Sequence, residues 1–564
     1  MTSPDDFSLL WPPDTDPRPI PRLAGASASD LDLPRLIDAL AETYGYGTRI
    51  RDILLQLCDD PAVITYRQDV LADLVDMPAL AGRLADLLPD VIALDSWGYS
   101  ARPNQSPLHE VVWRAGQLET YVQVVQQLSA AFDDLDQPVR AQGLIRLRDR
   151  VRAAAVDETF IRLTAELPGL VAKVRSIASI TIGVNLDDQL RPVEATLIAV
   201  NNQKFRGPAS SLLSVLFGQS APDAEWEGIA PLHAARPSGL PTEIPRGVDF
   251  DNPLLYPLFR DLADVLKKIS RPVASALNHY TRLNTRFLNE LGAELVFYLG
   301  VVRLMRQLQA SGLPLCRPEI APPDARVGEI GGLYNVNLAL RLMERDGQKD
   351  LSESIIPNDA AFGPEGRIFV LTGPNQGGKT TYAQAVGLAH VLAQAGLFVP
   401  GERARISPVD NIHTHFPVEE RPDMESGRLG EEAQRLAHIF AHATRHSLIL
   451  LNESLASTSP GESLYLARDI VRTLRVLGAR AIYATHLHEL AANCDDLNAE
   501  TPGDSRIVSL VSIVQEGGGT GEITQTYRIV PGPPRGRSYA RELAARYGIS
   551  YEQLIEMLRA RGMA

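Results

Sequence analysis

The residues from Ile368 to Thr381 (Ile-Phe-Val-Leu-Thr-Gly-Pro-Asn-Gln-Gly-Gly-Lys-Thr-Thr) carry the most specific chemistry in the chain. An apolar, β-branched run ends in a glycine-rich turn and passes straight into helix-forming residues. That is the strand–loop–helix context in which G-x-x-x-x-G-K-[ST] acts as a phosphate cradle. Gly373, Gly377 and Gly378 let the backbone through Pro374, Asn375 and Gln376 turn its N–H groups onto anionic oxygens. A helix opening at Lys379, Thr380 and Thr381 presents its positive end to the same anion. Lys379 is the expected partner of the β- and γ-phosphates and Thr380 of Mg²⁺, so ATP or GTP binding is predicted.

Two later stretches supply what such a cradle needs. Ser447 to Glu453 (Ser-Leu-Ile-Leu-Leu-Asn-Glu) reads as a buried strand with polar groups at its C-terminal tip. Ligands collect at such tips in parallel α/β sheets. The first polar place usually holds an Asp that steadies Mg²⁺. Asn452 can orient water there but brings no charge, and Glu453 beside it is the candidate general base. The plainer alternative is a core strand followed by an acidic turn. A third strand, Ala479 to Thr485, ends in His486, with His488 and Glu489 just beyond. His486 is either a phosphate sensor or a structural histidine. The H-x-H-E spacing hints at a metal, but no further ligand cluster follows it.

The elements that must position these groups occupy a long chain. Its 564 residues suggest about three or four domains. A hydrophobic share of 45% with 6% aromatic residues predicts a helix-rich chain with a sizeable core. The net charge of −14 argues against a protein that coats nucleic acid indiscriminately, though not against a local basic face. Cys58, Cys316 and Cys494 are scattered, which points to neither a disulfide framework nor a zinc site and suits a reducing cytoplasm. No signal peptide or membrane-spanning apolar run is evident.

Residues 1–28, rich in Pro and Asp, read as a mobile lead-in tacked down by Phe7, Leu9, Leu10 and Trp11. Helical spacing starts near Asp30, with stripes at Leu33, Leu36, Ile37 and Leu40 and at Ile50, Ile53, Leu54 and Leu57. Asp60-Pro61 opens another helix. Residues 107–175 are nearly all helix formers, punctuated by Pro138, as in a bundle or lever. Residues 177–200 are β-compatible, with a turn expected at Gly183 to Asp187. The Pro- and Gly-rich 207–251 stretch reads as a loop or insertion. Helix resumes from Leu254 to Leu308, and its Lys267, Lys268, Arg271, Arg282, Arg286, Arg303 and Arg306 form either a solvated face or phosphate contacts. Prolines 314, 318, 322 and 323 mark a boundary, with the nucleotide domain starting near 325 and closing near 530.

Taken together these segments resemble the MutS family of ABC-type ATPases. The matching pieces are Thr372 to Tyr382, Gly396 to Pro400, Ala443 to Glu453, Ser457 to Ser459 and Ala484 to Leu490, in the family's order. Tyr527 to Gly532 and Ser538 to Ala544 resemble its closing strand and terminal dimerisation helices, here 531–564. The 29–324 region, including Asp60 to Asp69, resembles the core-and-lever part more loosely. The resemblance implies an α/β P-loop ATPase domain preceded by a mainly α-helical core and lever. It implies ATP and Mg²⁺ as ligands, a homodimer whose subunits complete each other's sites, and DNA as a partner. Asn375 would lie against the nucleotide, and His486 would be the switch histidine. Ser426, Gly427 and Glu432 would belong to the dimer-signature segment that acts in trans.

The departures are equally specific. Leu429 stands where the family's signature places a serine, and Asn452 replaces the family's Asp, so slow hydrolysis is expected. No Phe-x-Glu wedge occurs in the sequence. Neither a mismatch-reading domain nor a nuclease appendage is expected, and 207–251 stands in place of a clamp. Branched DNA or a DNA-bound protein is therefore the expected target. An ATP-gated interaction protein that never touches DNA is the alternative, supported by the charge of −14.

Overall fold

The computed structural model describes residues 7–13, 15, 20–41, 46–95, 107–176, 179–203, 286–347, 349–417, 428–455, 459–516, 523–534 and 548–561. The expectations for 207–251 and 254–285, and those resting on Ser426, Gly427 and Ser538 to Ala544, lie outside these residues. The chain forms two compact units, one of residues 1–88, 134–147 and 290–564, the other of 89–133 and 148–289. The units part near 89, 134, 148 and 290.

The chain opens with α1 (Gly25–Asp30), α2 (Leu33–Ala41), α3 (Gly47–Leu55), α4 (Pro61–Asp76) and α5 (Pro78–Asp95). Helical spacing therefore begins five residues before the expected Asp30. The apolar stripes face inward: Leu33, Leu36, Ile50 and Leu54 are wholly buried. Leu57 is buried too, but beyond the end of α3, where its N–H pairs with Pro21 O at 2.8 Å. Asp60 caps α4 by accepting from Ala62 N at 2.8 Å, with Pro61 in the first turn. Such a cap contributes about 1 kcal/mol.

The segment around Phe7 to Trp11 is pinned, as its apolar residues predict. Phe7, Leu9 and Leu10 are buried, Tyr298 Oη donates to Leu9 O at 3.0 Å, and Arg67 Nε donates to Leu10 O at 2.9 Å. The Arg67 guanidinium also lies 4.4 Å over the Trp11 ring. Glu294 accepts from Leu9 N at 2.6 Å and from the Ser8 hydroxyl. Burial pushes the Glu294 carboxyl up to about 7, opposed by those two hydrogen bonds. A folded-state value above the unfolded one favours the fold at low pH. That contribution is complete below about 4.5 and is lost as pH rises through about 7. Glu294→Gln should remove about 2–3 kcal/mol of pH dependence across this window, measured as urea midpoints at pH 5 and pH 8. An unchanged difference between the two midpoints would refute the assignment.

The second unit contains α6 (Pro107–Ala131), α8 (Glu158–Arg175) and the hairpin β1 (Ser179–Leu186) and β2 (Pro192–Asn201); α7 (Gln142–Ala155) is shared between the units along the chain. Leu118, Tyr121, Val125 and Leu128 bury one stripe of α6, as their spacing requires. The hairpin turn falls at 187–191, not at Gly183 to Asp187. Gly183 pairs with Thr196 within the ladder, and the Asp187 carboxylate accepts from Gln189 N and Arg191 N, each at 2.8 Å. Aspartate makes the turn because its side chain substitutes for a backbone acceptor.

After α9 (Arg286–Ala310) come β3 (Leu315–Cys316), β4 (Glu319–Ile320), β5 (Gly328–Leu333), α10 (Val336–Asp346), β6 (Asn358–Phe362) and β7 (Ile368–Thr372). They are followed by α11 (Lys379–Gln394), β8 (Val399–Pro400), β9 (Arg403–Ile406), β10 (Ile412–His415), α12 (Arg428–His442), β11 (Leu448–Asn452), α13 (Pro460–Leu477) and β12 (Arg480–Ala484). The remainder is α14 (His488–Ala492), α15 (Cys494–Glu500), β13 (Ile507–Glu516), β14 (Ile523–Pro531) and α16 (Tyr551–Ala560). The main sheet runs β10-β11-β12-β7-β13-β14, parallel except for β14. A smaller four-stranded sheet has the order β4-β9-β5-β6.

β7, β11 and β12 are buried at every position, as expected of parallel strands covered on both faces. Ile368, Val370, Ile449, Leu451, Ala481 and Tyr483 pack against Leu436 and Ile439 of α12, Ala467 and Val471 of α13, and Leu490 of α14. Each fully buried aliphatic side chain here contributes about 1.5–3 kcal/mol. The result is a stiff sheet whose three central strands end at one edge. Among the described residues no helix is long and apolar enough to cross a membrane.

Candidate active site

Neighbouring strands bring the polar tips together. Asn452 lies opposite Ala484 across β11 and β12, and Ala484 lies opposite Leu371 across β12 and β7. Beyond the ladder the backbone stays tied: Glu453 N donates to Ala484 O at 2.8 Å and Thr485 N to Leu371 O at 2.9 Å. The 373–381 loop, Asn452–Glu453 and His486 therefore meet at one sheet edge.

The loop is tight. Gly378 has φ +86° and caps α11, a conformation that disfavours any side chain. A Cβ on Gly373 would lie 2.6 Å from Ser512 Cβ, and one on Gly377 2.8 Å from Ser512 Oγ. Ser512 Oγ donates to Gly377 O at 2.7 Å, and Gln525 Nε2 donates to Asn375 O at 3.1 Å. These braces come from β13 and β14. Gln376 takes φ +62°, and Asn335 Nδ2 donates to Thr381 O at 3.0 Å.

Lys379 is 4% exposed, and its ammonium rests on Gly373 O (3.1 Å) and Pro374 O (3.0 Å). Burial pulls its pKa below the ordinary lysine value, and the Glu453 carboxylate partly restores it. Thr380 Oγ1 donates to Asn452 Oδ1 at 3.3 Å. Glu453 Oε1 lies 2.9 Å from His486 Nε2. That hydrogen bond is the main cause holding the Glu453 carboxyl below the usual carboxylate range, with burial opposing it and the charges of His486 and Lys379 adding to it.

The turn after β11 is strained: Glu453 has φ +50° and Leu455 φ +63°. Such residues cost about 1–3 kcal/mol each and persist only where their surroundings over-determine them. Glu432 contributes one of those restraints. Its Oε2 accepts from Leu455 N at 2.7 Å, so within this chain it holds the loop that carries Glu453. His488 opens α14, where burial and then the charges of His486 and Lys379 keep its pKa down. Among the described residues no group of three or more His, Cys, Asp or Glu side chains could hold a metal.

The sequence reading placed Tyr527 in the closing strand but gave it no part in the site. It has φ +55°, is 47% exposed, and its Cδ1 would lie 3.5 Å from a Cβ on Gly378. Asn358 fixes it by donating to Tyr527 O at 3.0 Å and accepting from Ile529 N at 2.6 Å. The aromatic residue in an otherwise polar Thr-Gln-Thr-Tyr-Arg run was the available signal, but nothing local revealed that β14 runs beside the loop.

The residues present fit a nucleoside triphosphate with Mg²⁺. Gly373 and Gly377 leave no room for a Cβ, and the buried Lys379 ammonium donates its hydrogen bonds to carbonyl oxygens. Two oxygens, Thr380 Oγ1 and Asn452 Oδ1, are the kind of sparse donor set Mg²⁺ takes when substrate phosphates complete its shell.

Residues 369–551 match the family model of MutS domain V, and residues 59–311 match that of the MutS2 N-terminal domain. The chain belongs to the MutS family. Among its curated relatives is a DNA mismatch repair protein MutS from Myxococcus xanthus, 31% identical over 51% of this chain and 32% of the relative. An Endonuclease MutS2 from Thermomicrobium roseum is 30% identical over 51% of this chain and 34% of its own length. A DNA mismatch repair protein MutS 2 from Halobacterium salinarum is 39% identical over 25% of this chain and 17% of its own. The chain thus spans about a third of the length of the first two MutS relatives.

Proposed function

We propose that this MutS-family chain is an ATPase that binds ATP with Mg²⁺ and couples binding and slow hydrolysis to movement of its helical segments on DNA. The observation that carries this is the convergence of the 373–381 loop, Glu453 and His486 at one edge of the sheet. Lys379 and the loop amides would hold the β- and γ-phosphates, and Thr380 with Asn452 would hold Mg²⁺. The metal, when bound, neutralises charge developing on the phosphates. Glu453, kept ionised by His486, is placed to polarise the attacking water, and His486 to register the γ-phosphate. Tyr527 offers a flat apolar wall for a nucleobase beside Gly378.

Dimerisation through the C-terminal helix is part of the same reading. None of the described α16 side chains is buried, and Tyr551, Leu554 and Met557 stand exposed on it. The dimer-signature role of Ser426 and Gly427 rests on the family resemblance. Glu432 would link that segment to the Glu453 turn.

One observation favours the second reading, a nucleotide-gated module that engages a protein rather than DNA. The arginines of α7 are committed within the chain. Arg146 stacks over Phe7, Arg148 pairs with Asp149 at 2.8 Å, Arg150 stacks over Phe287, and Arg152 pairs with Asp133 at 2.8 Å. Binding of duplex, forked and four-way DNA, titrated with salt and with and without ATP, separates the two readings. DNA binding through six or more phosphates should weaken about a thousandfold between 50 and 200 mM salt. No binding to any of the three would favour the protein partner.

A further inference from the structure

Beyond the groups that would face nucleotide, one buried pair stands out beneath Glu453. His415, at the tip of β10, is 2% exposed, and Ser454, directly after Glu453, is 4% exposed. His415 Nδ1 lies 2.7 Å from Ser454 Oγ, and Ser454 Oγ lies 3.5 Å from His415 O. His415 Nε2 is buried with no hydrogen-bond partner. A proton on Nδ1 resolves this: the imidazole donates to Ser454 Oγ, the serine hydroxyl points back to His415 O, and Nε2 keeps only a bare lone pair. Burial supports the neutral ring, with the imidazole pushed down to about 4.

The placement matters because Ser454 is the centre of the left-handed turn. Tyr483 Oη donates to Ser454 O at 3.0 Å, and Ser463 Oγ donates to Leu455 O at 2.7 Å. With Glu453 N on Ala484 O and Leu455 N on Glu432, these bonds hold the turn's backbone from β12, α12 and α13. The contact from β10 differs in kind, since it grips a side chain of the turn. It also reaches the turn from the side of the sheet opposite β12 in strand order.

We propose that His415, through Ser454, is a positioning residue that fixes the direction of the Glu453 carboxylate and so sets the rate of ATP hydrolysis without contacting nucleotide. This rests on the ATPase reading above. Groups that only orient a reacting side chain typically alter activity about ten- to a hundredfold when removed. Their loss is felt in turnover rather than in ground-state binding.

The test uses the full chain with Ser454→Ala, His415→Leu, His415→Asn and the Ser454→Ala/His415→Leu double variant. Steady-state hydrolysis is measured beside equilibrium binding of a fluorescent ATP analogue, with melting curves to confirm folding. Ser454→Ala and His415→Leu should each lower kcat about ten- to a hundredfold, with analogue affinity within about twofold of the unmodified chain. The double variant should fall no further than the worse single one, because both remove one interaction. His415→Asn, whose amide N–H reaches the Nδ1 position, should recover most of the rate. The proposal is overturned if Ser454→Ala turns over normally, if the loss appears in affinity, or if the single losses multiply. Should His415→Leu fail to fold, Ser454→Ala against His415→Asn decides the matter. An unmodified chain that binds the analogue but hydrolyses nothing would remove the ATPase reading and this one with it.

Discussion

Lys379→Ala should weaken ATP binding by about two to three orders of magnitude and leave hydrolysis undetectable. The side chain is almost wholly buried, and its ammonium meets only the carbonyls of Gly373 and Pro374. Burial already disfavours its charge, as the lowered pKa shows. A phosphate in the cradle would give that charge an anionic partner in a poorly solvated place. Removing one member of a buried charge pair costs about 3–5 kcal/mol, and about 1.4 kcal/mol is a factor of ten in affinity. The fold should survive, since alanine is the best helix former at the start of α11. Titration with a fluorescent ATP analogue measures the loss, and an affinity within about threefold of the unmodified chain would remove the assignment.

Glu453→Gln should separate binding from chemistry. The amide keeps the shape and can still meet His486, but it cannot accept a proton from water. Loss of a positioned general base lowers turnover about 10²–10⁴-fold. ATP affinity should stay near that of the unmodified chain, so that nucleotide accumulates on the protein unhydrolysed. Glu453→Ala should trap ATP too, with the added loss of the His486 hydrogen bond. Single-turnover and filter-binding measurements together read both effects. Normal hydrolysis by Glu453→Gln would place the base elsewhere. Because Asn452 supplies no negative charge, the unmodified rate is expected to be slow, and Asn452→Asp should not reduce it.

Much of the site was legible in order along the chain. The glycines, Lys379 and Thr380 announce themselves because backbone approach to phosphate demands small residues at fixed offsets. The runs ending at Asn452 and at Thr485 read as buried strands because their apolar stretches are short and uninterrupted. The β1–β2 turn lies four residues later than expected, at 187–191 rather than 183–187. In the structure Gly183 is an ordinary ladder residue, and the side chain of Asp187 makes the turn.

Spacing alone pointed to residue types suited to a triphosphate and to roughly which segments are strand or helix, since both depend on neighbours within a few positions. Sheet order lay beyond it. That β12 lies between β11 and β7, that β14 brings Tyr527 beside Gly378, and that His415 reaches Ser454 across thirty-nine residues all follow from long-range packing. Contacts of that kind depend on how apolar faces far apart in sequence bury one another, and no local pattern records which partner each face finds.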